Sequence, residues 1–197
     1  MHRYFVIYKP YGMLSQFSKE GDKQVLADLN FIFPKDVYPV GRLDADSEGM
    51  LLLTNDKSVN EKLLHPSKKH VRSYLVQVEG EFSVDACEKL KKGVEISVDG
   101  KKYKTLPADN VELIPDPEFL PERNPPVRFR KSIPTSWVQI DLIEGKNRQV
   151  RKMTAAVGFP TLRLVRIVME SLKLDFFNPG EIKELERSIF YSKLKLS

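Results

Sequence analysis

The sequence predicts an α+β fold, a largely antiparallel mixed sheet flanked by a few helices. Two observations carry this. Stretches of strand length and composition outnumber helical ones, and they are joined by hairpins and short turns instead of regular strand–helix–strand units. No composition shift marks a domain boundary, so residues 1–197 are expected to form one domain.

Residues 4–8 alternate and then meet Lys9-Pro10-Tyr11-Gly12, a turn signal, so they read as a first strand. Gln24 to Asn30 reads as a short helix with Val25, Leu26 and Leu29 on one side. Next comes Gly41-Arg42-Leu43-Asp44-Ala45-Asp46-Ser47-Glu48-Gly49, followed by Met50-Leu51-Leu52-Leu53. Three carboxylates and an arginine lie between two glycines, with an apolar run of strand length directly behind them. A buried strand fed by such a loop holds a carboxylate rigidly near the core, which is how a catalytic Asp is mounted. Ser58 is the expected N-cap of a helix over Val59 to Leu64, ended by His65-Pro66.

Arg72 to Glu79 is a strand whose period of two places Arg72, Tyr74, Val76 and Val78 on one face. Ser83 caps a helix over Val84 to Lys92, and Gly93 closes it. Glu95 to Val98 and Lys101 to Thr105 form a hairpin on the turn signal Asp99-Gly100, and Asn110 to Ile114 continues as a strand. Six prolines between Pro115 and Pro134, with Arg123, Arg128, Arg130 and Lys131 among them, forbid a central strand or helix. That stretch is expected as an extended arm, either an ordered spacer or a basic arm on RNA phosphates.

Trp137 to Ile143 is a strand, and Asn147 is the expected cap of a helix running to Val157, with Gly158 as its stop. At 100° per residue Arg148, Arg151, Lys152 and Ala155 share one face, opposite Val150, Met153 and Val157. Thr161 to Glu170 is a long strand with Arg163 and Arg166 on opposite faces. Asn178-Pro179-Gly180 is a turn, and a short strand and an amphipathic helix end the chain.

An apolar fraction of 41% and a charged fraction of 30% are those of a globular protein. No apolar run approaches the roughly 18 residues needed to span a bilayer, and the N-terminus lacks a signal-peptide core. The single cysteine, Cys87, excludes an intramolecular disulfide and suits a reducing compartment, so the cytoplasm is expected. The net charge of +5 says little, but its distribution says more. Lys146, Arg148, Arg151, Lys152, Arg163 and Arg166 lie between Gly145 and Met169 without one acid, the footprint of a polyanion partner.

Other chemistries fit poorly. Asp44, Asp46, Glu48 and Gly49 resemble the start of a calcium loop, but the closing acid is Asn55 and the middle is apolar. His2, His65, His70 and Cys87 have no zinc-ligand spacing. A glycosidase pair from Asp44 with Asp46 or Glu48 lacks a sugar platform. Nothing matches a phosphate loop, a dinucleotide fingerprint or a nucleophile elbow, so no metal or cofactor is expected. What remains is a positioned Asp beside an arginine, a basic helix and strand, and a Tyr on a strand. That set suits an enzyme acting on one nucleoside in RNA, with the Asp as nucleophile or base and the Tyr stacking on an unstacked base.

The motif from Gly41 to Asp56 resembles the signature of the RsuA-type ribosomal pseudouridine synthases. Lys9-Pro10-Tyr11-Gly12, Arg72-Ser73-Tyr74, Gly145-Lys146-Asn147-Arg148-Gln149-Val150-Arg151-Lys152-Met153 and Leu164-Val165-Arg166 match in the same order. Leu120 to Arg128 in the Pro-rich arm looks like the RluE branch, which modifies a uridine of large-subunit (23S) rRNA. The resemblance covers nearly the whole chain. It implies the pseudouridine synthase type of sheet, with no N-terminal S4 domain ahead of it, as in that branch.

The resemblance implies that Asp44 attacks the target nucleotide and that Arg42 fills the space left by the flipped base. It implies that Tyr74 packs against the uracil as the proton-handling or positioning aromatic, that Arg151 pairs with Asp44, and that Leu164 lines the base pocket. Asp46 and Glu48 are expected as turn and hydrogen-bonding residues, and Arg148, Lys152, Arg163 and Arg166 as RNA contacts. The expected activity is uridine-to-pseudouridine isomerisation in 23S rRNA by a monomer. A non-catalytic rRNA-binding or assembly factor of the same fold is the rival, and a nucleoside hydrolase releasing free uracil a third reading.

Overall fold

The first strand sets the frame of the fold because both of its faces are covered. In the computed structural model, which describes residues 1–128, 130–176 and 178–196, every residue of β1 (Tyr4–Lys9) is buried. The following strands are β2 (Tyr38–Val40), β3 (Glu48–Thr54), β4 (Arg72–Glu79), β5 (Glu95–Val98) and β6 (Lys101–Lys104). Then come β7 (Asn110–Ile114), β8 (Thr135–Leu142), β9 (Thr161–Met169), β10 (Leu172–Lys173) and β11 (Ile182–Leu185). The helices are α1 (Lys57–Leu64), α2 (Val84–Lys91), α3 (Gln149–Ala156) and α4 (Arg187–Leu194). The fold is α+β and its pairing is mostly antiparallel. Contacts divide the chain into two compact units, residues 1–70 with 166–197, and residues 71–165.

In the first unit β1 lies between β11 and β3, antiparallel to both, with Phe5 opposite Leu53 and Ile7 opposite Leu51. These four side chains share one face and pack with Met13, Leu26, Val37 and Leu43, while Phe17 and Phe33 lean on the cluster. The other face of β1 is also occupied: the Tyr4 ring stands 4.8 Å from Phe190 of α4. The alternation of residues 4–8 therefore marks two covered faces, not one wet and one dry. β3 is buried along its whole length, each leucine contributing roughly 1.5–3 kcal/mol of apolar burial. β2 pairs with its C-terminal end.

In the second unit β8 lies between β4 and β7, and β5 and β6 form a separate hairpin. Asp99 and Gly100 both have positive φ, the type I′ geometry expected of Asp-Gly. Gly93 has φ +77°, and a Cβ there would stand 2.4 Å from the Thr105 carbonyl oxygen. Glycine is thus required at the stop of α2. The core joins Val76 and Val78 of β4, Val138 and Ile140 of β8, Ala86 and Leu90 of α2, and Val150 and Met153 of α3.

Three local expectations are corrected. Gln24 to Asn30 is not a helix but a single 3-10 turn, Leu26–Asp28. The backbone there is already committed: Leu14 N–H donates to Gln24 O (2.8 Å) and Leu26 N–H to Gln16 O (2.9 Å). The N-cap of α1 is Asp56, whose carboxylate accepts from both the N–H (3.1 Å) and the hydroxyl (2.8 Å) of Ser58. A carboxylate is favoured at a helix N-terminus, and the hydroxyls of Tyr4 and Tyr191 also hold this one in place. The cap of α3 is Arg148 at φ 52°, because the Asn147 side-chain oxygen takes the Lys152 ammonium (3.2 Å) instead of a helix N–H.

The arm over 115–134 contains no helix or strand among its described residues. Two of its cations bond within the protein, while Arg128 and Lys131 are exposed. Arg123 donates to the carbonyls of Pro125 (2.8 Å) and Pro126 (3.1 Å), and Arg130 to Glu79 (2.7 Å). Among the described residues, no helix is long and apolar enough to cross a membrane.

Candidate active site

The acidic loop of the first unit is laced to the Lys-Pro-Tyr-Gly turn. The Ser15 hydroxyl donates to Leu43 O (2.8 Å) and accepts from Leu43 N–H (3.0 Å), which holds both backbone groups of the residue before Asp44. Gly12 N–H donates to Ala45 O (2.7 Å), and Ser47 N–H closes the turn on Asp44 O (3.0 Å). Fixing the backbone on both sides of Asp44 restricts where its carboxylate can reach, and preorganisation of that kind is what a reacting group needs. Asp44 is half-buried, and Arg42 is exposed. Glu48 is buried and accepts from the Tyr8 hydroxyl (3.3 Å), so it serves the packing of the loop.

Under this loop lies Lys9, which composition and motif reading left without a role. It is fully buried, and its ammonium donates to the carbonyls of Met13 (2.7 Å), Pro10 (2.9 Å) and Ala45 (3.4 Å). Burial drives its pKa down to about 7, against the pull of Glu48, Asp46 and Asp44 and with help from Arg166. The Lys-Pro-Tyr-Gly turn signalled the position, but nothing in the sequence told that the amine would be sealed in.

Lys9 yields a test. Above pH 7 the folded protein holds fewer protons at this site than the unfolded chain, whose lysine titrates near 10.5. Stability should therefore rise with pH between 7 and 10, by up to about 1.4 kcal/mol per unit. Urea unfolding across this range should show that rise in the wild type and a flatter profile in Lys9→Met. Parallel profiles would refute it.

Arg166, on the C-terminal part of β9, is buried, with Nε donating to Met50 O (2.9 Å). It thus holds the strand behind the acidic loop.

The second unit carries the remaining predicted residues. Tyr74 on β4 is opposite Ile140 of β8, half-buried against the core. Leu164 is buried in that same core. Arg151, half-buried on α3, donates to Thr161 O (3.4 Å). Arg148 is exposed and Lys152 half-buried, whereas Arg163 is buried with only 6% exposure. The open cationic face is therefore made by the loop and first turn of α3, not by β9.

That loop is organised by two residues the charge pattern hid. Glu144 accepts from the Tyr103 hydroxyl (2.6 Å), Leu106 N–H (2.8 Å) and Gln149 Nε2 (2.6 Å). Gln149 in turn accepts from Lys146 N–H (2.8 Å), and the Lys146 ammonium lies 4.9 Å from the Tyr103 ring centre. The bond to Glu144, then burial, raises the Tyr103 pKa. A buried Gln inside a run of cations was the available signal. Among the described residues, no group of three or more His, Cys, Asp or Glu side chains could hold a metal ion.

With the loop and helix in place, comparison with known proteins decides the family. The family model described as RNA pseudouridylate synthase matches residues 3–156. The chain belongs to that family. Among its relatives in the pseudouridylate synthase family is a protein of Vibrio vulnificus (strain CMCP6) named ribosomal large subunit pseudouridine synthase E. It is 52% identical over 177 residues, covering 90% of this chain and 72% of that protein. A protein of the same name from Xanthomonas axonopodis pv. citri (strain 306) is 47% identical over 173 residues, 87% of each chain. A solved structure titled as a crystal structure of pseudouridylate synthase superposes with a TM-score of 0.78 at 25% identity, covering 98% of this chain and 74% of that one. The matched region contains the acidic loop, Tyr74 and the cations Lys146, Arg148, Arg151 and Lys152 of α3 and its preceding loop.

Proposed function

We propose that this chain isomerises one specific uridine of large-subunit (23S) rRNA to pseudouridine, residues 1–197 acting as one catalytic domain. The observation that carries the substrate is the 52% identity, over 90% of the chain, to a protein named for the large ribosomal subunit. In the reaction the N1–C1′ bond breaks, the uracil turns while held, and C5 bonds to C1′. C5 gives up a proton and N1 gains one, so no redox equivalent is consumed.

Asp44 is the nucleophile or base, kept in place by Ser15 and the turn at Ser47. Arg42 enters the duplex as the target base leaves it, and flipping costs a few kcal/mol that the vacated stack must recover. Tyr74 stacks on the uracil, Leu164 walls its pocket, and Arg151 supplies positive charge that keeps a carboxylate ionised. Arg148 and Lys152 contact phosphates, while Arg163 and Arg166 are buried and Arg166 holds β3 through Met50 O. The single thiol supports a reducing, cytoplasmic setting, and the lack of a self-complementary apolar stripe in the sequence supports a monomer.

Chemical mapping of pseudouridine in 23S rRNA, with and without the gene, tests the function. One site should disappear on deletion and return when purified protein is added to the transcript; an unchanged map refutes it. Arg148→Ala with Lys152→Ala should weaken RNA binding and reduce the slope of log K against log salt by about 1 to 2. An unaltered slope in a binding titration would remove these residues from the phosphate contacts.

A further inference from the structure

We infer that the C-terminal end of α1 and the turn after it grip RNA backbone phosphates flanking the target nucleotide. The inference rests on the proposed function and adds a second contact surface, in the first unit. From Lys62 to Val78 the chain carries no acid, but it does carry Lys62, Lys68 and Lys69. The cluster at Gly145 to Met169 does not include it.

The structure gives this run a shape. After α1 the chain makes a 3-10 turn over Pro66–Lys68, started by the His65 Nδ1, which accepts from Ser67 N–H (3.3 Å). Lys69 then adopts a left-handed backbone, φ 49°, which costs a residue with a Cβ about 1 kcal/mol or more. The bend leaves Lys68 and Lys69 exposed side by side. Ser58, Glu61, Lys62, His65, Ser67 and Lys68 line a surface cavity of about 350 Å³. The hydroxyls of Ser58 and Ser67 are bonded to Asp56 (2.8 Å) and His65 Nδ1 (2.7 Å), so the donors left for phosphodiester oxygens are the ammonium groups, and Glu61 is the single carboxylate in the lining.

Its place argues for RNA. A Cβ on Gly41 would stand 3.1 Å from Leu64 Cδ2, so the last turn of α1 abuts the residue preceding Arg42. This end of α1 therefore lies near the loop that carries Asp44, where phosphates flanking a nucleotide held by that loop come within reach of its lysines. The cations there meet a polyanion whose position the catalytic loop already dictates.

Reversing both exposed charges tests it. Lys68→Glu/Lys69→Glu should weaken binding of a 23S rRNA transcript by tenfold or more at physiological salt and lower the salt slope by about 2. The neutral pair Lys68→Gln/Lys69→Gln should fall between it and the wild type. Melting temperatures should match the wild type, since these are surface positions. A charge-matched control, Lys91→Glu/Lys92→Glu at the end of α2, separates a local contact from net charge and should change affinity less than threefold. Variants at 68 and 69 that bind like the wild type, or no more weakly than the control, overturn the inference while pseudouridine formation keeps the proposed function. A wild type that neither binds nor modifies the transcript overturns both.

Discussion

Asp44→Asn is expected to drop pseudouridine formation by on the order of 10⁴-fold or more, while RNA affinity stays within about fivefold. The amide has the size of the carboxylate but neither its charge nor its lone-pair basicity, so it can neither attack nor accept a proton. On the proposed function binding rests on cations of other elements, Arg148 and Lys152 among them, and the loop keeps its shape because Ser15 and Ser47 act on its backbone. Single-turnover assays on a 23S rRNA transcript, with a parallel filter-binding titration, read the two quantities separately. Retained turnover would exclude Asp44 as the reacting group, and a collapse of affinity would make it a structural residue.

The largest effect on stability is expected from Asp56→Ala, about 3–4 kcal/mol. Asp56 caps α1 and accepts from the hydroxyls of Tyr4 (2.8 Å) and Tyr191 (2.5 Å). Alanine removes the cap and strands the Tyr4 hydroxyl, on a ring only 1% exposed, without its acceptor. For a chain of this length the melting temperature should fall by about 10 °C. Burial alone would push the Asp56 pKa up, but the hydrogen bonds from Tyr191, Ser58 and Tyr4 outweigh it and bring it to about 2. The contribution is therefore whole above pH 4 and lost as the pH falls toward 2. Wild type and variant should converge over that acid range; a constant difference in calorimetry would contradict the assignment. Because α1 abuts Gly41, loosening its cap should also blunt catalysis at temperatures where the fold persists.

Local chemistry made much of this protein legible in its residues. The apolar run after the acidic loop could only be a buried strand, Asp-Gly could only be a tight hairpin, and Ser83 caps α2 through Ala86 N–H (3.1 Å) as its type suggests. The hairpin and the cap rest on interactions within a few positions of one another, and the strand on an apolar run too long to face water. Where distant backbone competes, reading by periodicity failed: Gln24 to Asn30 has a helical pattern, but Leu14 and Gln16 hold its hydrogen bonds. The same reason explains Asp56 over Ser58, since the tyrosines that settle the carboxylate there come from positions 4 and 191.

The sequence by itself determined the family, through motifs whose order and spacing are carried by the chain, and it named the candidate side chains for the chemistry. Only the tertiary structure decided which charges meet water. Arg163 and Arg166 are as cationic as Arg148 on paper, yet they are buried and it is exposed. Lys9 reads as a turn residue but is sealed beneath the loop with its pKa near 7. Solvation depends on what packs above a side chain, and that partner is set by long-range contacts that no local pattern contains.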